Sequence, residues 1–256
     1  MFLDYSLSVF KKFHDAGKMM TKLKLLLPVW FTLLATALPI AETWAGVSAG
    51  VDIENGQTIF NEGKGDATAC QGCHGGKGLG MDAMGAPRLA NIGQAYIVKQ
   101  LTDFANDLRV PAGMGVIMNG IAKALTVQDR RDVAAYLSSL EYEIESSDLQ
   151  TLAAEGTKVG QAELGKLIVV HGIKGKVPAC QDCHGFNGRA PHIPAINQQK
   201  YVYLINQMAA WRDDSRANDP TVNKVGIMRG IAKKLTEDEI ANIAAYLSTA
   251  PRVAPE

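Results

Sequence analysis

Apolar residues recur every three to four positions in three separated stretches of this chain, and the whole set then occurs a second time. Residues 54–62 and 162–171 place apolar side chains at helical spacing and run into glycine-rich segments. Tyr96–Asn106 and Tyr201–Arg212 predict a second helix in each set. The third helix is the best delimited. Thr126 and Thr236 stand at N-cap positions, with Asp129 and Glu239 three residues on as reciprocal capping partners. Apolar stripes follow through Val133, Ala134 and Leu137, and through Ile240, Ile243, Ala244 and Leu247. No stretch alternates with the period of two that a strand requires, so the pattern predicts an all-α protein.

The recurrence is a duplication. "IMNGIAKALTVQDRRDVAAYLSS" (117–139) aligns without a gap on "IMRGIAKKLTEDEIANIAAYLST" (227–249), 110 residues later. "NGQTIFNEG" (55–63) matches "LGKLIVVHG" (164–172), and "PRLANIGQAYIVKQLTDF" (87–104) matches "PAINQQKYVYLINQMAAW" (194–211) at an offset of 107. The slip is recovered before Met228, so the second copy has a shorter early loop and a longer later one. Insertions confined to loops are what a duplicated fold should show. Two domains are expected, at 50–140 and 159–250, joined by the acidic linker "EYEIESSDLQTLAAEGTK" (141–158).

The N-terminus reads as a targeting segment. Lys22 and Lys24 precede a nearly unbroken apolar run from Leu25 to Ala41, followed by small residues suited to signal peptidase. Residues 1–45 are therefore expected to be a signal-peptide region, with cleavage after Ala45 or Ala49. Translation is expected to start at Met19 or Met20, because the preceding 18 residues do not resemble a basic n-region. The alternative is an uncleaved membrane anchor.

The full chain has no net formal charge, and nothing in it suggests a nucleic-acid partner. The balance is uneven along its length. Residues 46–150 carry 8 basic against 13 acidic side chains, and residues 151–256 carry 13 against 10. The mature protein should be electrically dipolar.

All four cysteines lie in two motifs, "CQGCHG" (70–75) and "CQDCHG" (180–185). Disulfides are one use of four cysteines in an exported chain. A redox Cys-x-x-Cys pair belongs with a βαβ pattern, which is lacking here. A zinc site needs four ligands, and each copy offers two Cys and one His nearby. Covalent attachment of c-type haem needs two thiols on adjacent turns to form thioethers, and a histidine directly after them to reach the iron. Cys70, Cys73 and His74 meet that spacing, as do Cys180, Cys183 and His184.

The sixth iron ligand then has to be found. Copy one offers Met81, Met84, Met114 and Met118; copy two offers Met208 and Met228. A methionine at helical spacing is more often core than ligand. Met118 and Met228 alone correspond across the duplication, each 44 residues after its histidine, in what reads as a glycine-bounded loop. They are the expected ligands. Pro87 and Pro194 stand where a backbone carbonyl would accept from the histidine Nδ1–H. His171 and His192 have no counterpart in copy one and read as surface or loop residues. Arg88, Arg109 and Arg212 are candidates for haem propionates or for solvated positions.

With these motifs the chain resembles the dihaem cytochrome c4 family of class I c-type cytochromes. The resemblance covers roughly residues 50–250 and rests on both Cys-x-x-Cys-His motifs, "VPAC" before the second, and the repeated "IM-x-GIAK-x-LT…AAYLS". Gly56-x-x-x-Phe60 and Gly165-x-x-x-Val169 look like the family's first helix, crossing the last helix near Tyr136 and Tyr246. Val169 departs from the usual aromatic there.

The resemblance implies two tandem class I cytochrome c domains with two covalently bound haem c groups, related by a pseudo-twofold axis. It also implies a periplasmic electron carrier rather than an enzyme, working by outer-sphere transfer. Its partners would be redox proteins: a quinol-oxidising complex or dehydrogenase as donor, a terminal oxidase or reductase as acceptor. The alternatives are a cytochrome subunit of a dehydrogenase complex, and a dihaem peroxidase or thiosulfate-oxidising enzyme with one exchangeable axial ligand.

Overall fold

The computed structural model describes residues 50–185 and 191–250, so the expected leader at 1–45 lies outside the described residues. Copy one contains α1 (Ile53–Glu62), α2 (Gln71–His74), α3 (Gln94–Ala105), α4 (Ile117–Ala124) and α5 (Val127–Ser139). Then come α6 (Leu149–Ala154), α7 (Ala162–His171), α8 (Cys180–His184), α9 (Tyr201–Arg212), α10 (Ile227–Ala232) and α11 (Glu237–Thr249). Among the described residues no helix is long and apolar enough to cross a membrane.

Each copy is built on one crossing, of its first helix over its last. A side chain at Gly56 would place its Cβ 2.2 Å from the Asp132 carbonyl oxygen of α5, and one at Gly165 would stand 1.9 Å from that of Asn242 in α11. Hydrogen alone lets the backbones approach this closely. Around the first crossing Phe60 packs on Tyr136, ring centroids 5.6 Å apart. In copy two Val169 takes that place, buried in a cluster that includes Tyr246. The crossing survives and the aromatic contact, worth about 0.5–1.5 kcal/mol beyond area burial, is lost.

The capping boxes form as the sequence predicts. Thr126 and Thr236 accept from the backbone N–H of Asp129 and Glu239, whose carboxylates accept from the threonine N–H groups in return. Lys64 and Lys176, from the loops after the first helices, pair with these acids at 2.5 Å. Burial opposes ionisation of Asp129, but hydrogen bonds from Lys64, Thr126 and Asn55 win and bring its pKa down to about 2.

Three features differ from expectation. The acidic stretch 141–158 holds α6, which is capped by Asp148 and buries Leu152 against Tyr201, Ala244 and Ala245 of copy two. It is a docked element as well as a connection. The longer later loop of copy two contains a small antiparallel hairpin, β1 (Thr221–Val222) with β2 (Val225–Gly226), turned through Asn223 and Lys224 at positive φ. Two residues per strand are too few to show an alternating pattern. Met118 and Met228 lie in helices, each as the second residue of α4 or α10, where a loop is expected. Gly120 and Gly230 suggested the loop. Each costs its helix only about 1 kcal/mol against alanine and does not break it; neither is required by close packing, since a Cβ at Gly120 would meet nothing within 4 Å and one at Gly230 only Val225, at 3.7 Å.

Candidate functional site

The glutamine shared by both cysteine motifs has a structural role. Gln71 donates to the Asn61 carbonyl at 2.6 Å and Gln181 to that of Val170 at 3.0 Å, tying each motif helix to the end of the first helix. This turns Cys70 and Cys180 toward the two cores, where they are partly buried, and leaves Cys73 and Cys183 exposed. Among the described residues no two of the four cysteines are joined by a disulfide. Burial pushes the Cys70 and Cys180 thiols up to about 11, so they remain protonated.

His74 is buried and its Nδ1 donates to the Pro87 carbonyl at 2.9 Å; His184 does the same to Pro194 at 2.8 Å. The expected role of the two prolines is thus observed. With Nδ1 carrying the proton, Nε2 keeps its lone pair, the tautomer a metal ligand needs. Burial holds both imidazoles below the ordinary histidine range, partly opposed by the carbonyl bonds, and so keeps them neutral.

The methionines separate by position. Met118 and Met228 are half-buried at the starts of matched helices. Met114 is 62% exposed on a 3₁₀ turn (Gly113–Val116), and Met81 and Met84 are each 38% exposed. Met208 packs against the copy-two core from α9. His171 and His192 are exposed. Arg212, at the end of α9, is half-buried.

Arg88 is fully buried. Its Nε donates to Ala90 at 3.0 Å, one Nη to the Glu143 carbonyl at 2.8 Å, and its other Nη finds no partner among the described residues. Its backbone N–H and C=O are both held by Gln199 of copy two, at 2.7 and 3.0 Å. The segment that carries the His74 acceptor is therefore fastened to the other copy.

A second cross-copy contact was missed from sequence. Arg109 donates to Tyr203 (3.2 Å) and Gln207 (2.7 Å) of copy two and to Gln100 (2.7 Å) of its own copy. Arg216 reciprocates, donating to Tyr96 (3.0 Å) and Gln100 (3.3 Å) of copy one and to its own Gln207. The guanidiniums stack on Phe104 at 4.6 Å and on Trp211 at 4.1 Å. Every pair, Tyr96 and Tyr203, Gln100 and Gln207, Phe104 and Trp211, Arg109 and Arg216, is related by the same offset of 107. Extending the 87–104 alignment by five residues would have revealed it. Burial and the charge of Arg216 both press the Arg109 pKa below its ordinary range.

These groups fit an iron porphyrin in each copy. Each copy carries one exposed and one core-facing thiol on a single turn, a neutral histidine whose Nδ1 is fixed by a carbonyl, and a half-buried methionine on a matched helix. The orphaned Nη of Arg88 and the buried guanidiniums of the seam suit anionic groups at the porphyrin edge.

The comparisons with known proteins agree with this chemistry. The cytochrome c family model matches twice, at residues 53–141 and 163–251. A cytochrome c4 of Stutzerimonas stutzeri is 33% identical over 72% of this chain and 86% of its own length. A thiosulfate dehydrogenase electron acceptor of Thiomonas intermedia is 33% identical over 73% of this chain and 80% of its own. Among solved structures, thiosulfate dehydrogenase (TsdBA) from Marichromatium purpuratum superposes with a TM-score of 0.66 at 29% identity. That match covers 78% of this chain and only 40% of the longer protein.

Proposed function

Because the chain belongs to the dihaem cytochrome c4 family and is a dihaem electron-transfer cytochrome with two covalently bound haem c groups, we propose the following assignment of its residues. Cys70 and Cys73 hold one haem as thioethers, and Cys180 and Cys183 hold the other. His74 and Met118 are the axial ligands of the first iron, His184 and Met228 those of the second. Each haem, when bound, supplies a one-electron Fe(II)/Fe(III) couple. The Pro87 and Pro194 carbonyls fix the imidazole planes and tautomers, and thioether ligation raises the potential. With both axial positions taken by side chains, no position remains for a substrate, so the protein is a carrier and not an enzyme.

The observation that carries this reading is the matched pair of histidine–carbonyl bonds, each with a methionine 44 residues later. We place the carrier in the periplasm, exported by the 1–45 region and released by cleavage; an uncleaved segment would leave it membrane-anchored. Its donors are a quinol-oxidising complex or a dehydrogenase, and its acceptor a terminal oxidase or reductase. The electron-acceptor name of the Thiomonas relative supports a dehydrogenase as donor.

The test is a reductive titration of the isolated holoprotein, then assays with thiosulfate plus a soluble one-electron acceptor on the oxidised form and with hydrogen peroxide plus a one-electron donor on the reduced form. The carrier reading expects two electrons accepted per chain and no turnover of either compound. Turnover by the isolated chain would overturn it in favour of the enzyme.

A further inference from the structure

We propose that each proximal histidine is tuned from the opposite copy, by a peptide group that accepts from the imidazole at one end and donates across the seam at the other. This rests on the ligand assignment above. In copy one the peptide is Pro87–Arg88. Its oxygen accepts from His74 Nδ1 at 2.9 Å, and its N–H donates to Gln199 Oε1 of copy two at 2.7 Å. In copy two the peptide is Pro194–Ala195. Its oxygen accepts from His184 Nδ1 at 2.8 Å, and its N–H donates to the Ile92 carbonyl of copy one at 3.0 Å. The two chains of bonds run in opposite directions through one seam.

The pair is built on equivalent positions. The donors Arg88 and Ala195 stand 107 residues apart, and so do the acceptors Ile92 and Gln199. What differs is the accepting group, a main-chain carbonyl at Ile92 and a side-chain amide at Gln199. All four residues are buried, so water offers neither N–H a ready substitute. The Gln199 Oε1 also accepts from the Lys200 N–H at 2.9 Å, and its Nε2 donates to the Arg88 carbonyl at 3.0 Å. Those bonds fix which end of the amide meets the Arg88 N–H.

Resonance couples the two ends of a peptide group. Donation from the N–H leaves the oxygen more negative, and bonded chains polarise one another in this way inside a protein. A more negative Pro87 or Pro194 oxygen pulls harder on the imidazole proton and makes Nε2 more basic. A more basic ligand favours Fe(III), so each bond across the seam lowers the potential of the haem at its imidazole end. Gln199 is therefore a positioning residue for His74, although it belongs to the copy that carries His184.

The experiment is a redox titration of the holoprotein, with its two haem components resolved and assigned, in Gln199→Met and Gln199→Glu. Methionine is close in size and offers the Arg88 N–H no oxygen. The copy-one component should rise by about threefold in the reduced-to-oxidised ratio, or ~28 mV for a one-electron couple, and copy two should move far less. Proton NMR of the reduced protein should show the His74 Nδ1–H moving upfield as its bond to Pro87 weakens. A purely structural clasp would disturb its own copy at least as much. A copy-one component that stays, falls, or moves no further than that of copy two overturns the proposal.

Gln199→Glu, titrated above neutral pH, puts a stronger acceptor behind the Arg88 N–H. Its copy-one component should fall, by more than that of copy two, and the His74 Nδ1–H should move downfield. A copy-one component that stays or rises contradicts the proposal. Should Gln199→Met fail to take up haem, Gln199→Glu decides alone. Wild-type spectra lacking two histidine-ligated low-spin haems would instead count against the ligand assignment itself.

Discussion

Copy one and copy two carry the same proposed ligands, but they hold the methionine-bearing helix by different means. In copy one the residue after Met118 is Asn119, whose amide donates to the Phe104 and Arg109 carbonyls at 2.9 Å each. That tether ends at residue 109. Between it and α4, Val110, Met114 and Val116 are exposed, as Val222 and Val225 are in the corresponding loop of copy two. In copy two the residue after Met228 is Arg229, whose backbone and side chain donate to the buried Asp219 at 3.1 and 2.9 Å. The hairpin fills the interval, and Ile227 donates back to the Pro220 carbonyl at 2.9 Å. Duplication thus preserved the chemistry while the frame around it diverged. The methionine of copy one should be the easier to displace.

The comparison can be broken most severely at the ligands. Met118→Ala and Met228→Ala should each lower the potential of one haem by roughly 0.1–0.3 V, a fraction of the ~0.8 V that axial ligation spans. Covalent attachment should be unaffected in both. Potentiometry on the two variants checks this. If the Met118 variant kept its ligation and potential, Met114 would be the ligand in copy one.

Next in size are the helix crossings. Gly56→Ala and Gly165→Ala each force a methyl group against a backbone carbonyl, at 2.2 and 1.9 Å. Each should destabilise its copy by at least about 1–3 kcal/mol. Thermal unfolding, followed at the two haems, should show the affected copy melting first. Equal, small shifts would mean that the helices separate freely and the crossing is not a constraint.

A smaller effect tests the bracing itself. Imidazole added to the oxidised protein should displace the copy-one methionine at lower concentration than the copy-two methionine. Asp219→Asn removes the charge that holds Arg229 and should narrow that gap by severalfold, a loss of about 1–2 kcal/mol in local stability. A titration in which both haems bind imidazole equally in the wild type would remove the basis for the comparison.

The smallest effect is acid sensitivity. The Asp129 carboxyl is held down to about 2 in the folded protein, against 3.8 for an ordinary aspartate. Its contribution is therefore complete above pH ~4 and disappears as pH falls toward 2. Asp129→Asn should flatten the pH dependence of copy-one unfolding in that window, as acid titration of the melting temperature would show.

Much of this architecture was legible in the chain because it depends on local chemistry. Capping boxes, a Cys-x-x-Cys-His turn and a duplicated apolar stripe are each specified within a few residues. The proline carbonyls could be placed because their distance from the histidine is similar in the two copies. What escaped notice depends on contacts between distant segments. Gly120 and Gly230 look like helix breakers, yet each costs only about 1 kcal/mol, and α4 and α10 run through them. The acidic 141–158 stretch looks like a tether until Leu152 is found beneath Tyr201. Arg109 reads as a propionate partner or a solvated charge, and Arg216 draws no reading, because burial of an arginine is decided by partners 94 and more residues away.

The central claim is that each copy closes its iron with its own methionine. Magnetic circular dichroism of the fully oxidised protein measures it most directly, through the methionine-to-ferric-iron charge-transfer band. Two such centres per chain are expected, falling to one in Met118→Ala and to one in Met228→Ala. A single centre in the wild type, or two surviving in either variant, would contradict the account.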